Sequence, residues 1–145
     1  MPRPSTLRRV VVATLALVLP AAALAACTPE QNRSSAVVFV NQERAARGLR
    51  GVSWSDDLGR KAQQWAGVLA DRGVLQHSQL SDGVDPGWRA LGENVGFGGT
   101  VKSVHDQFMN SKVHRDAIMN GVYRNIGIGV VERGGRTYVV QVFKA

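Results

Sequence analysis

Two histidines and one glutamate stand out as side chains able to do metal or acid–base chemistry. They are His77 in His77-Ser78, Glu93 in Gly92-Glu93-Asn94-Val95, and His114 in His114-Arg115-Asp116-Ala117-Ile118. Two neutral imidazoles and a carboxylate supply three ligands to zinc or another divalent cation and leave a fourth position for water, the arrangement of catalytic zinc sites. The same groups equally make a hydrogen-bonded cluster, in which the carboxylate orders a loop by accepting from backbone amides or imidazole. A zinc site would empty as the imidazoles protonate near pH ~6.5, a loss that a static cluster need not show. Spacing alone does not decide, because sixteen residues separate His77 from Glu93 and twenty-one separate Glu93 from His114. That rules out the local His-Glu-x-x-His signature, so only the fold can gather the three. No nucleophile elbow or Ser-His-Asp order supports covalent catalysis, and Ser78 and Ser111 near a histidine do not supply it.

The elements that must position these residues are legible in the periodicity. Ser34 or Ser35 is placed to cap a helix through Val37, Val40 and Arg44 that ends at Gly48. Ser55 is placed to cap a second, with Asp56 and Asp57 in its first turn, a stripe of Leu58, Ala62, Trp65, Ala66 and Leu69, and an end at Arg72-Gly73. Residues 77–99, rich in Gly, Ser and Asp with Pro86, read as a long ordered loop. Val101, Val104 and Phe108 recur at helical spacing behind Thr100 or Ser103, and a short helical turn is expected over Val113 to Met119. Ile126, Ile128 and Val130 alternate with Gly127 and Gly129, then Arg133-Gly134-Gly135-Arg136 turns the chain into Thr137 to Phe143, a strong antiparallel hairpin signal. Glycines on one strand face leave room for a closely packed helix. His105 is expected as a solvated helix residue at the edge of the apolar stripe. Among the tryptophans, Trp54, Trp65 and Trp88, Trp65 fits the core and Trp88 fits a cap over it, with Trp88 the better placed of the two to meet a partner.

The first 26 residues follow the export pattern: Arg3, Arg8 and Arg9, an apolar run from Val10 to Leu19 too short to span a bilayer, then small residues. Leu24-Ala25-Ala26-Cys27 resembles a lipobox, in which the cysteine thiol is acylated and becomes the mature N-terminus; cleavage after Ala25, leaving a free thiol, is the competing reading. Cys27 is the only cysteine, so no disulfide can staple the domain. The expected organisation is a signal peptide over 1–26, a tether over 27–33 with acylated Cys27, and one domain over 34–145. Removing 1–26 lowers the formal charge from +7 to +4. The remaining basic residues are interspersed with acids, which argues against nucleic acid as a partner and for a mildly basic surface near anionic lipid or wall polymer.

Seven motifs carry a family resemblance: Asn41-x-x-Arg44-x-x-x-Gly48-Leu49, Trp54-x-x-x-Leu58, His77-Ser78, Gly92-Glu93-Asn94-Val95, Asn110-Ser111-x-x-His114-Arg115, Gly127-Ile128-Gly129-Val130 and Tyr138-x-x-Gln141-x-Phe143. In this order, over about residues 36–143, they resemble the CAP superfamily of cysteine-rich secretory proteins, venom allergens, plant pathogenesis-related proteins and bacterial secreted proteins; the chain is similar to the short bacterial branch. The resemblance implies an α+β fold, a three-layer α-β-α sandwich with a small, mostly antiparallel sheet. It also implies a central cleft with a motif of two His and two Glu that binds a divalent metal in some members. His77 and His114 match the histidines and Glu93 the glutamate of the Gly-Glu-Asn motif, while Ser111 stands where animal and plant members often carry the second Glu. Phe108 and Ala117 replace a common Trp and Asn. The expected function is an exported, lipid-anchored surface protein whose cleft, formed by His77, Glu93 and His114 with Asn94 and Ser111, binds a lipid, wall component, protein or divalent metal without catalysis. A zinc-dependent hydrolase using Glu93 as ligand or general base, and a purely structural envelope protein, are the alternatives.

Overall fold

The computed structural model describes residues 28–145, so Cys27 and the signal segment lie outside the described residues. The first helix, α1, runs Pro29–Ala45. It starts ahead of the cap expected at Ser34 or Ser35, and the expected tether from Pro29 onward is its first turns. The reason is a capping box: the Gln31 amide donates to Thr28 Oγ1 (3.2 Å) and the Thr28 amide to Gln31 Oε1 (2.8 Å), with Pro29 at the first helical position. Polar composition here reflects exposure of the helix start rather than an absence of structure. Gly48 takes the left-handed conformation (φ 69°) just beyond the helix end.

A two-residue strand, β1 (Ser53–Trp54), precedes α2 (Asp56–Arg72), which ends on Gly73 at φ 68°. Ser55 occupies the N-cap position as expected, but its hydroxyl donates to the Asp57 carboxylate instead of accepting from the helix amides. Leu58, Ala62, Ala66 and Leu69 are fully buried and Trp65 packs half-buried beside them, so the predicted stripe holds. The loop expected over 77–99 ends at Ala90: Leu91–Gly98 form strand β2. Its glycines, which read as loop, are strand positions where other segments touch the backbone. A Cβ at Gly96 would sit 2.7 Å from the Phe108 ring, and one at Gly92 would sit 2.4 Å from the Tyr123 hydroxyl. The remaining elements are α3 (Val101–Asn110), capped by Thr100 in a box with Ser103, α4 (Lys112–Met119), β3 (Asn125–Arg133) and β4 (Arg136–Lys144).

The sheet order is β1-β3-β4-β2, with β1 parallel to β3 and every other pair antiparallel. Gly134 and Gly135, both with positive φ, close the β3–β4 hairpin. One face of the sheet carries α2; the other carries α1, α3 and α4. Strand alternation separates the two cores. Ile126, Ile128 and Val130 of β3 point to the three-helix face, while Gly127 and Gly129 point to α2. A Cβ at Gly129 would lie 2.1 Å from the Ala62 carbonyl oxygen, so α2 rests directly on strand backbone. The α+β sandwich inferred from the motifs is the observed architecture.

One buried cation ties the three-helix layer together. Arg44 is 0 % exposed and donates to the carbonyls of Arg50 (2.8 Å), Ile118 (2.8 Å), Asn120 (2.9 Å) and Tyr123 (3.3 Å). Its guanidinium thus satisfies the loop after α1 and the chain leaving α4. Burial, with Arg124 nearby, lowers its pKa from the usual value, yet an arginine so far above neutrality stays charged.

Candidate functional site

Glu93 anchors the site. It lies in β2, the edge strand beyond β4, and its register partner is Val142, which places its side chain on the α2 side of the sheet. The carboxylate is 1 % exposed, and both of its oxygens are engaged. Oε1 accepts from the Ser78 amide (2.9 Å) and pairs with His77 Nδ1 (2.8 Å), and Oε2 accepts from the Ser78 hydroxyl (2.6 Å). Because a carboxylate only accepts, neutral His77 must carry its proton on Nδ1, leaving Nε2 as an outward lone pair on a ring that is 62 % exposed.

The next residue, Asn94, faces the opposite side of the sheet. Its amide donates to the Gln141 side chain and to the His114 backbone carbonyl, both at 3.1 Å. His114, half-buried on α4, packs its ring on Phe108 with centroids 5.1 Å apart. Consecutive residues of one edge strand therefore hold the two histidine-bearing segments, one on each face. The histidines are close enough that, after burial, His77 is the second cause holding the His114 imidazole below its ordinary pKa. Both effects favour the neutral form of the His114 imidazole.

The structure thus brings His77, Glu93, Asn94 and His114 to one end of β2. Ser111 does not join them by hydrogen bond: it forms the joint between α3 and α4, its amide donating to Gln107 O and its carbonyl accepting from the Arg115 amide. The three-ligand zinc set expected of His77, Glu93 and His114 is not formed either. Among the described residues no group of three His, Cys, Asp or Glu side chains is arranged to hold a metal ion. Glu93 and His77 Nδ1 are engaged with each other and with Ser78, so Nε2 is the ring nitrogen that His77 keeps free.

Three α2 residues that the sequence did not link to the site position the loop from Val74 to Ala90. Lys61, 7 % exposed, donates to the carbonyls of Gln79 (2.7 Å) and Asp82 (2.9 Å). Burial lowers its pKa, while Glu93 and Asp82 push it back up. Trp65 donates its indole N–H to Gln76 O (2.8 Å). Asp57 accepts from the Asp85 amide (3.0 Å) and from Lys144 Nζ (2.7 Å). Burial alone would raise the Asp57 carboxyl, but Lys144, the Ser55 hydroxyl and the amides of Asp85 and Leu58 together hold it well below the usual carboxylate range. Lys61 could have been found, because it lies at i+3 from Leu58, a position inside the apolar stripe where an ammonium is buried only with partners. His105 departs from expectation as well. It is 5 % exposed against Phe39 of α1, with a buried Nδ1 that has no hydrogen-bond partner among the described residues. Trp88 is exposed, not a cap over the core.

An α-β-α sandwich with a two-histidine, one-glutamate cluster at the edge of its sheet is thus the arrangement of the chain. The chain belongs to the CAP, cysteine-rich secretory protein, family, whose model matches residues 37–143. It is 28% identical over 107 residues to the uncharacterized protein YkwD of Bacillus subtilis; that match covers 68% of this chain and 42% of the relative, so the chain spans about two-fifths of that protein's length. Its fold is that of an outer surface protein of Borrelia burgdorferi (TM-score 0.72, 17% identity, 81% of this chain and 95% of that one). It is also that of an extracellular SCP-domain protein of Bacillus anthracis (TM-score 0.70, 19% identity, 83% and 44%).

Proposed function

We propose that the chain is an exported CAP module, held at the outer face of a membrane through acylated Cys27, that binds an envelope ligand or partner at the His77–Glu93–His114 cleft without turning it over. The observation that carries the binding reading is the engagement of both Glu93 oxygens. A carboxylate that is 1 % exposed and holds Ser78 and His77 through both oxygens is a brace, not a free general base or a metal ligand. What the brace leaves available is the outer edge of His77 and the neutral imidazole of His114, two groups suited to hydrogen-bonding a neutral ligand. The Leu24-Ala25-Ala26-Cys27 lipobox and the surface and extracellular relatives support export and anchoring. With α1 starting at Pro29, acylation of Cys27 would leave only Thr28 between the anchor and the first helix.

Calorimetric titration of zinc into the metal-free protein at neutral pH, together with an ester and peptide hydrolysis screen, tests this reading. No heat that disappears with His114→Ala, and no turnover, are the expected results. Stoichiometric zinc binding abolished by His114→Ala would replace it with the metal-dependent reading.

A further inference from the structure

Away from the histidine cleft, two adjoining grooves of the described surface meet around Trp54. They measure about 550 and 410 Å³ and share Arg33, Trp54 and Asp56. Trp54 is 42 % exposed, yet its ring is not free to move. The indole N–H donates to Asp56 Oδ1 (2.8 Å), and the ring lies so closely on Gly59 that a Cβ there would sit 2.3 Å from Trp54 Cζ2. The glycine is therefore required to seat the ring, and the remaining indole surface is held as a fixed plate at the floor of a groove between α1 and α2. Around it stand groups of both signs and both hydrogen-bonding senses. Glu30, Arg33 and Ser34 come from the first turns of α1, and Arg60, Gln63 and Gln64 from α2, with Arg33 reaching across to donate to Gln63 Oε1 (3.3 Å).

We infer that this groove binds a neutral oligosaccharide, with a pyranose ring stacked on Trp54 and its hydroxyls shared among the polar rim. The chemistry selects that class. A sugar presents an apolar C–H face that an aromatic plate covers, and an equatorial ring of hydroxyls that both donate and accept. Two arginines set against Glu30 and Asp56 leave no net positive field for a phosphate or an anionic headgroup, while amide, carboxylate and guanidinium partners suit hydroxyls. The volume is that of a small-ligand site, and the pre-set ring means that little ordering opposes binding.

Titration of the 15N-labelled protein with chitotetraose and, separately, maltotetraose tests the site by NMR, and the two arms distinguish an amino sugar from a hexose. At least one is expected to shift the Trp54 indole N–H and the amides of Arg33 and Gln63 in a saturable way, at concentrations on the order of a millimolar. Trp54→Leu is expected to lower that affinity at least about tenfold, and Arg33→Ala, which keeps the ring and its seat, about threefold. Because the mapping uses the parent protein, misfolding of the Trp54 variant would not hide the result. Silence at Trp54 with both sugars, or shifts confined to the His77 loop, would overturn the inference. So would a response of Trp54 to phosphatidylglycerol vesicles and not to the sugars, which would mark the groove as a membrane contact instead.

Discussion

Ser78 occupies both oxygens of Glu93: its amide donates to Oε1 at 2.9 Å and its hydroxyl to Oε2 at 2.6 Å. A loop residue and an edge-strand residue fifteen positions apart are thereby fixed as one unit, and His77 is carried with them. Glu93→Gln keeps the shape but turns one acceptor into a donor facing the donors of Ser78 and His77. A loss on the order of 1 to 3 kcal/mol is expected in urea unfolding, the cost of leaving a buried donor unsatisfied. An unfolding curve matching the parent's would show that the brace does not stabilise the loop.

Arg44→Met is expected to cost more, on the order of 3 to 5 kcal/mol, because it removes the buried donor shared by the carbonyls of Arg50, Ile118, Asn120 and Tyr123, of which Asn120 keeps only the Tyr123 amide (3.4 Å) and Tyr123 only Arg124 (3.1 Å). The same unfolding measurement checks it. A loss below about 1 kcal/mol, within the range of ordinary surface changes, would mean that water replaces the guanidinium.

Gly129→Ala is expected to destabilise by about 3 kcal/mol or more, since the added methyl would meet helix backbone rather than a movable side chain. Gly67→Ala, a helix position with open space around the new methyl, is the control and is expected to be neutral or mildly stabilising.

Stability is expected to fall with acid in two stages. Burial depresses His105, opposed by Glu43 and Asp106 and aided by Lys102; burial and then His77 depress His114. The folded state therefore takes up protons less readily than the unfolded chain. The stabilisation is fully present above pH ~6.5 and is lost as pH falls from there toward the depressed folded values. The lowered Asp57 adds a contribution present above pH ~4 and lost below it. His105→Leu should flatten the first stage and, by removing an unpartnered buried nitrogen, raise stability at pH 7 by about 1 kcal/mol. Equal slopes between pH 7 and 5 for parent and variant would contradict this.

Cys27→Ser should move the protein from the membrane fraction to a soluble or unprocessed form. Normal cleavage of the variant with continued need for detergent would count against acylation.

The hairpin, the helix stripe of Leu58 to Leu69 and the seat for α2 at Gly127 and Gly129 were all legible, because each depends on a local period or on a residue type that only close packing requires. The pairing of His77 with Glu93 was legible only through the ordered motifs, since no local rule links residues sixteen apart. β2 was hidden by Gly92, Gly96 and Gly98, which look like loop until α3 and Tyr123 are placed against them. β1 is too short for any alternation to show. The burial of His105 depends on Phe39 of α1 covering it, and a helical period alone does not report that.

The tautomer of His77 tests the central claim most directly. Long-range 1H–15N correlation of the imidazole at pH 7.5 should show the proton on Nδ1, shifted downfield by its bond to Glu93, and the pattern should be unchanged when zinc is added. A proton on Nε2 would contradict the reading of Glu93 as a brace, and a zinc-induced change at both His77 and His114 would replace metal-free binding with the metal-dependent reading.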